Sequence, residues 1–359
     1  RNFLARIVLI VLSLLEYVYF IGIKVRGLAY RLKILNSRQL ETKVISVGNI
    51  TVGGTGKTPV IERLARMLKE QGQRVAVISR GYGADSDHEQ EPLIVTDGQQ
   101  INTGVEQAGD EVYMLAQHLS GVPIVIGGDR YQAGRLVEEE FAPDVILMDD
   151  GFQHWQLDRD LDIVVIDAMK PFGYDHLIPR GLLREPMSGL KRADLFVLSK
   201  CDHVTPERLK EIKGRLKKYN TRITEARIFT SRHQPLFVKS LTEEQENQMP
   251  VDNLEGKRVL ALSAIGNPQS FVNGLEDLQA RVIDSIIYPD HYKYEEEDLV
   301  EIAMEAQLNG VDCVVTTEKD AVKFTSDMLQ RFRKLDVGIL TLGIELRLEN
   351  SQGFLEKIF

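Results

Sequence analysis

The sequence contains very little cysteine. Its two cysteines, Cys201 and Cys313, lie far apart in a chain of 359 residues. Their spacing excludes a disulfide framework and a metal site built from cysteine pairs. Reduced, unpaired thiols are the usual state in the cytoplasm. The cysteine content therefore predicts a protein whose main body is cytoplasmic.

An excess of positive charge is also lacking. The formal net charge is −9, and a general nucleic-acid-binding protein is usually basic. The chain has neither an internal repeat nor a low-complexity tract, and its hydrophobic content of 43% is ordinary for a globular protein. With about 150 residues per domain as a guide, the length allows two domains. We therefore expect a folded protein of two domains that does not bind nucleic acid.

The charge is unevenly distributed. Residues 1–38 hold seven Lys or Arg and one acid, Glu16, which gives +6 and leaves −15 for the rest of the chain. The segment also holds one apolar run of 17 residues, Ile7–Ile23, followed by aromatic and basic residues. A spanning helix needs about 20 apolar residues, and Glu16 interrupts this run. No small-residue cleavage site follows the run, so a removable signal peptide is not expected.

This pattern favours a membrane-associated N-terminal helix. The aromatic and basic residues suit a bilayer interface with anionic headgroups. We expect the helix to lie in the interface rather than to span the membrane, with the body on the cytoplasmic side. A helix buried against the body of the protein is the alternative.

Short apolar strands alternate with helices through most of the chain. Strands buried on both faces of a parallel sheet have this character, which predicts a doubly wound α/β domain. A polar connection and a second, smaller α/β unit follow. The predicted strands are 43–48, 74–79, 122–127, 144–149, 162–167 and 195–199 in the first domain, and 258–263, 281–287, 312–317 and 338–342 in the second.

We predict four segments from this organisation. They are a membrane-associated helix (1–38), a nucleotide-binding domain (39–238), a linker (239–257) and a C-terminal α/β domain (258–359).

The segment "VISVGNITVGGTGKT" lacks one glycine of a phosphate-binding loop. The common form places a glycine six residues before the lysine, where this chain has Thr51. A variant form has two adjacent glycines before x-G-K-T, and the segment matches it, although Val52 replaces the lysine found there in some members. The loop follows a strand and precedes a helix, as a nucleotide site requires. The predicted phosphate contacts are Gly53, Gly54, Thr55, Gly56, Lys57 and Thr58, with Thr58 also binding Mg²⁺.

Charged residues follow other predicted strands, where an open α/β sheet binds its ligands. Asp149 and Asp150 end one strand, at the position of a metal-organising carboxylate. Arg80 and Arg130 follow two others and suit phosphate or sugar contacts.

The predicted nucleotide site could belong to a GTPase. The segment "LSKCD", Ser199-Lys200-Cys201-Asp202 with Leu198 before it, ends a strand and resembles a guanine-reading motif.

Ten segments follow one another along the chain: "SVGNITVGGTGKTP", "SRGYG", "AGDE", "DRY", "DDGFQH", "RDLDIVVID", "LIPRGLLREP", "RADLFVLSK", "YPDHYKY" and "TTEKDAVK". With these segments, in this order, the chain resembles the tetraacyldisaccharide 4′-kinase family of lipid A biosynthesis over about residues 10–345. Tyr288 stands where many members have phenylalanine.

The resemblance implies ATP-dependent phosphorylation of the 4′-hydroxyl of an acylated glucosamine disaccharide 1-phosphate, at the cytoplasmic face of the bacterial inner membrane. It implies that Asp110 is the catalytic base and that His291 orients it. Asp149, Asp150 and Glu185 match acidic positions associated with metal and phosphate. Because Asp110 and His291 fall in different predicted domains, we expect closure of the two domains to assemble the site.

Overall fold

A computed structural model of the chain describes residues 2–83, 91–243, 248–335 and 337–359. Every predicted strand is present, and the structure adds three that the sequence patterns did not indicate: β3, β8 and β9. The strands are β1 Lys43–Gly48, β2 Val75–Ser79, β3 Leu93–Thr96, β4 Ile124–Ile126, β5 Val145–Asp149, β6 Leu161–Asp167, β7 Leu195–Ser199, β8 Ile228–Ser240, β9 Gln248–Met249, β10 Arg258–Ser263, β11 Arg281–Ile287, β12 Cys313–Thr317 and β13 Gly338–Leu348.

Helices connect most of these strands, as the alternating pattern predicts. Short 3₁₀ turns occupy several of the remaining connections. The α-helices are α1 Asn2–Arg31, α2 Lys57–Glu70, α3 Val105–Ala108, α4 Asp110–His118, α5 Arg130–Phe141, α6 Pro206–Tyr219, α7 Pro268–Asp277, α8 Glu296–Leu308, α9 Glu318–Ala321, α10 Ser326–Lys334 and α11 Ser351–Leu355.

The strands form one continuous sheet in the order β11-β10-β12-β13-β8-β7-β6-β1-β5-β2-β4-β3, with β9 on β8. Among the described pairings, only β8–β13, β8–β9 and β3–β4 are antiparallel. The middle strands β1, β2, β5 and β6 are buried almost throughout, because apolar β-branched residues face helices on both sides. The carboxyl ends of these parallel strands lie at one edge, and this edge carries the charged residues that the sequence placed after them.

Contacts in two places cross the predicted domain boundaries, which stay a prediction. Strand β8 continues to Ser240 and pairs with β7 at its start and with β13 along the rest, so the two units are joined by a shared strand pair. The end of the chain also returns to the first unit, where Phe354 and Ile358 are buried in the same core as α2 and α4. The last residues therefore pack on the first unit, although they are in the predicted C-terminal domain. Part of the predicted linker, 244–247, lies outside the described residues.

Helix α1 lies along the body of the protein on one side and is exposed on the other. The Glu16 carboxylate accepts from the Leu177 amide at 2.9 Å and lies 3.1 Å from Nδ1 of His176. The Tyr19 hydroxyl donates to the Arg184 carbonyl at 2.8 Å. The acid that interrupts the apolar run therefore faces protein. By length and composition, α1 is the one helix among the described residues that could cross a membrane.

Candidate active site

The loop between β1 and α2 is shaped to receive an anion. Gly53 and Gly56 have φ values of +102° and +86°, in the left-handed region that glycine adopts without strain. Helix α2 begins at Lys57 without a side-chain cap, so its first N–H groups are available to a ligand. A Cβ atom at Gly53 or Gly54 would meet nothing within 4 Å, so the loop borders open space. Amide groups and the helix dipole there favour phosphate.

The glycine missing at position 51 is not needed in this fold. Thr51 forms an antiparallel bridge with Leu183, and the Val52 amide donates to the Leu182 carbonyl at 2.8 Å. This part of the loop is therefore extended, a conformation that threonine adopts readily. The turns that require glycine come later, at Gly53 and Gly56.

The segment that resembles a guanine-reading motif forms hydrogen bonds with the loop between β1 and α2, which we call the phosphate loop. The Ser199 hydroxyl donates to the Thr55 carbonyl at 2.7 Å, and Lys200 Nζ donates to the Gly54 carbonyl at 3.1 Å. Lys200 also pairs with Asp167 at 2.5 Å. These bonds fix the carbonyl side of the loop, so that its N–H side faces outward.

Asp149 and Asp150 end β5 beside the phosphate loop. One oxygen of Asp149 accepts from Ser79 at 2.9 Å, and the other has no hydrogen-bond partner among the described residues. Burial, and then the charge of Asp150, raise the pKa of Asp149 to about 6. Asp150 has φ of +50°, accepts from Arg184 at 2.8 Å and lies 3.5 Å from Lys57 Nζ. Burial would raise its pKa, but the two cations outweigh that effect and lower it.

These side chains fit a magnesium ion that is bound together with a nucleotide. Among the described residues, no three His, Cys, Asp or Glu side chains form a metal cluster of their own. Mg²⁺ in kinases takes only one or two carboxylates and fills its other positions with phosphate oxygens and water. The unpartnered oxygen of buried Asp149 and the Thr58 hydroxyl at the start of α2 are suitable donors. The Thr58 hydroxyl donates to Glu111 at 2.8 Å in the structure.

Asp110 and His291 meet between the two units. Asp110 is buried at the start of α4, and its two oxygens lie 3.1 and 3.0 Å from Nδ1 of His291. His291 stands in the loop after β11 with φ of +62°. Burial would raise the pKa of Asp110, but its bond to His291 and the nearby charges of Lys319 and Lys323 lower it. Asp110 is therefore ionised near neutral pH. The two residues are in contact across the two units, and the expected domain closure stays a prediction.

Lys319 connects this pair to the phosphate loop. It lies in α9, directly after β12, and its Nζ is 3.1 Å from Glu111, 3.0 Å from Asp290 and 3.2 Å from Nε2 of His291. Since Glu111 also accepts from Thr58, a continuous set of polar contacts links both predicted catalytic residues to the start of α2.

The two predicted substrate arginines differ in exposure. Arg80 is exposed, and its role in substrate binding stays a prediction. Arg130 is 4% exposed and donates to the Gly127 and Gly128 carbonyls at 3.0 Å. Burial lowers the pKa of Arg130 to about 10, against the raising effect of Asp149, and Arg80 adds to the lowering. Its burial favours balancing the charge of Asp149 over direct contact with a sugar.

Glu185 contacts side chains other than Asp149 and Asp150, and its role as a metal ligand stays a prediction. Gln153 and Arg192 both donate to one of its oxygens, at 2.7 and 2.9 Å. Its other oxygen packs so tightly against Gly189 that a Cβ atom there would lie 1.9 Å away. Burial, partly offset by Arg192, raises the pKa of Glu185. In the structure, the contacts of Glu185 with Gln153 and Arg192 hold the loop before β7 in place.

Sequence patterns gave no role to Lys319 or Arg184. Lys319 stands in "TTEKD" and Arg184 in "LLREP", each next to an acidic residue. Such neighbours are common on protein surfaces, so they give no signal of a shared site. The position of Lys319 directly after a buried strand was the one usable indication.

Comparison with known proteins agrees with this site. A family model described as tetraacyldisaccharide-1-P 4′-kinase matches residues 8–359. A tetraacyldisaccharide 4′-kinase of Halothermothrix orenii is 47% identical over 355 residues, which cover 98% of this chain and 92% of the relative. One of Geobacter metallireducens is 39% identical over 341 residues, covering 95% and 96%.

A solved structure is similar over nearly the whole chain. It is LpxK from Aquifex aeolicus in complex with ATP, with 30% sequence identity, a TM-score of 0.73 and coverage of 96% of each chain. The match confirms the predicted fold class, a P-loop α/β protein with a mostly parallel sheet. By sequence and by structure, the chain belongs to the tetraacyldisaccharide-1-P 4′-kinase family.

Proposed function

We propose that the protein transfers the γ-phosphoryl group of ATP to the 4′-hydroxyl of a tetraacyldisaccharide 1-phosphate, giving lipid IVA. The observation that carries this proposal is the contact of Asp110 with His291, which Lys319 and Glu111 link to Thr58. These contacts link a carboxylate that can act as a base to the start of the helix after the phosphate-binding loop, which supports the proposal. The names of the relatives support the lipid acceptor, and the ATP complex of the Aquifex aeolicus protein supports the donor.

In the proposed reaction, Asp110 accepts the proton of the 4′-hydroxyl. At the same time, the oxygen of that hydroxyl forms a bond to the γ-phosphorus of ATP. The bond from that phosphorus to the bridging oxygen breaks, and ADP leaves. Phosphoryl transfer depends mainly on positioning and on charge stabilisation. The loop amides and Lys57 hold the phosphates. Mg²⁺, held by Thr58 and Asp149 with Asp150 nearby, would neutralise phosphate charge when it is bound.

We expect phosphate transfer to the lipid from radiolabelled ATP and not from GTP, because "LSKCD" uses its serine and lysine to support the loop. The measurement is transfer to tetraacyldisaccharide 1-phosphate in detergent micelles. Chelation of divalent ions should abolish transfer, and added Mg²⁺ should restore it, because phosphate charge is then screened again. Hydrolysis of GTP alone, with the lipid unchanged, would contradict the proposal and support the GTPase alternative.

We further propose that α1 lies in the surface of the inner membrane with the body on its cytoplasmic side. The contacts of Glu16 and Tyr19 hold the second half of the helix along the protein. The opposite face exposes apolar side chains, including Ile10 at 60% and Leu14 at 63%. A helix held in this way can immerse one face in the bilayer while the enzyme reaches a lipid headgroup.

Replacing Ile10 and Leu14 with aspartate should reduce binding to vesicles of phosphatidylethanolamine and phosphatidylglycerol, measured by sedimentation. Burying one such side chain contributes about 1.5–3 kcal/mol, so the two together predict a loss of about 100-fold or more. The matched control is Met304→Asp with Leu308→Asp, a pair with the same spacing on α8 and exposures of 53% and 82%. Equal losses in both pairs would contradict a membrane-facing α1.

A further inference from the structure

Lys319 reaches a part of the active site that the proposed reaction has not yet used. Its Nζ lies 3.2 Å from Nε2 of His291, the ring nitrogen that faces away from Asp110. The side chain is 16% exposed and comes from α9, whereas Asp110 comes from α4. The His291 ring is therefore held between a carboxylate on one nitrogen and an ammonium group on the other.

The chemistry of the two neighbours determines where the ring carries its proton. A lysine ammonium group has only hydrogens to offer, so the nitrogen facing it must present a lone pair. The carboxylate of Asp110 is an acceptor only, so the nitrogen facing it must carry hydrogen. One form of histidine satisfies both neighbours: a neutral ring with the proton on Nδ1. In the other neutral form, a lone pair would face the Asp110 carboxylate and a hydrogen would face the Lys319 ammonium group.

Lys319 keeps its charge in this setting. Burial would lower its pKa, but Glu111, Asp110 and Asp290 outweigh this effect and raise it. The groups that face His291 are Asp110 from α4, Asp290 from its own loop, Lys319 from α9 and the Tyr82 ring, whose centroid is 5.5 Å away. The bond to Asp110 raises the pKa of His291, and Lys319 opposes that rise.

We propose that Lys319 is a positioning residue that holds His291 as the neutral tautomer with its proton on Nδ1. In that form, the ring donates to Asp110, and the ionised carboxylate keeps further lone pairs that can accept from the acceptor hydroxyl. An imidazolium ring would instead lower the basicity of Asp110 further. The proposal assigns a function to a residue of the second unit and rests on the proposed phosphoryl transfer.

The test is ¹⁵N NMR of the full chain labelled on histidine, without substrate, with the ring signals of His291 assigned from a His291→Asn spectrum. The neutral Nδ1-protonated tautomer is expected in the wild type at pH values above the pKa of His291, which the bond to Asp110 raises. In Lys319→Met, loss of the neighbouring charge raises the pKa of His291 further. The imidazolium signals of His291 should then persist to higher pH. The acidic limb of the profile of kcat against pH should also shift to higher pH. We expect kcat to fall about 10–100-fold near neutral pH, as when an orienting partner of a histidine ligand is lost, with an unchanged KM for ATP.

Lys323→Met is the matched control. Both lysines lie 3.9 Å from the same oxygen of Asp110, but Lys323 has no contact with the His291 ring among the described interactions. It should therefore preserve the ring signals of the wild type. In Lys319→Arg, the side chain still offers only hydrogens, and the tautomer should be retained. If Lys319→Met unfolds because three carboxylates are left together, Lys319→Met with Asp290→Asn removes one of them, and melting curves identify the folded variant.

Unchanged His291 signals in a folded Lys319→Met protein would overturn the proposal. So would a wild-type ring that is protonated on Nε2, or a variant whose loss lies entirely in KM for ATP, since Lys319 would then be a phosphate contact. The NMR result does not depend on catalysis. A protein with the expected tautomer that fails to phosphorylate the lipid would contradict the proposed function and leave the assignment of Lys319 intact.

Discussion

Asp110→Asn is expected to reduce kcat by about 10²–10⁴-fold, the range for loss of a general base, with little change in KM for ATP. Asparagine has nearly the shape of aspartate, so the start of α4 is preserved. An amide cannot accept the proton of the 4′-hydroxyl, and it lacks the negative charge of the carboxylate, which lies 3.0 Å from Nδ1 of His291. The loss should therefore fall on the chemical step and not on nucleotide binding, because Asp110 belongs to α4 and not to the phosphate loop.

The measurement is the initial rate of lipid phosphorylation in micelles over a range of ATP concentrations. Glu106→Gln is a suitable control, because Glu106 is an exposed carboxylate in the preceding helix α3. Glu106→Gln also replaces a carboxylate with an amide, four positions before Asp110, and should leave the rate of phosphorylation unaltered. If Asp110→Asn retained the wild-type kcat, Asp110 would not be the base, and the role that the family resemblance implies for it would be wrong.

Lys57→Met is expected to reduce kcat by about 10²–10³-fold, the usual effect of removing one group that stabilises charge in a transition state. Lys57 begins α2, and its side chain is only 15% exposed. It is 3.5 Å from Asp150, whose pKa it lowers more than any other neighbouring charge. Methionine has a similar length and no charge, so it removes the cation from the phosphates and leaves Asp149 and Asp150 less well balanced.

Lys69→Met is the matched control, since Lys69 lies at the other end of the same helix and bonds to the Ser120 carbonyl. It should keep both kcat and the melting temperature near those of the wild type. Binding of ATP can be followed separately by equilibrium titration. A Lys57→Met protein that bound ATP weakly but turned over at the normal kcat would show that Lys57 acts in binding and not on the transferring phosphoryl group.

The family and the nucleotide loop could be predicted because their signals are local. A strand, a glycine-rich turn and a helix occupy one short segment, and each depends on its own residues. The same holds for the buried strands, whose apolar runs predicted the α/β class. Strand β8 was missed because it holds Pro235, which the structure accommodates at a register shift opposite Ile344.

The partners of Glu185 could not be predicted from the sequence. It stands beside Arg184 in "LLREP", and the adjacent side chains point to different partners: Arg184 to Asp150 and Glu185 to Arg192. The side chains of neighbouring residues in an irregular segment can point in different directions. The position of Glu185 next to Arg184 in the chain therefore did not indicate which side chains it contacts.

The sequence by itself thus determined the strand–loop–helix that receives phosphate, the apolar α1 and the order of the elements. Only the tertiary structure decided that Lys319 contacts His291, that the chain end packs in the first unit and that Glu16 faces protein. The physical reason is that a local pattern reflects backbone geometry and the burial of nearby side chains. The direction of a charged side chain, in contrast, is set by partners that packing brings from distant parts of the chain.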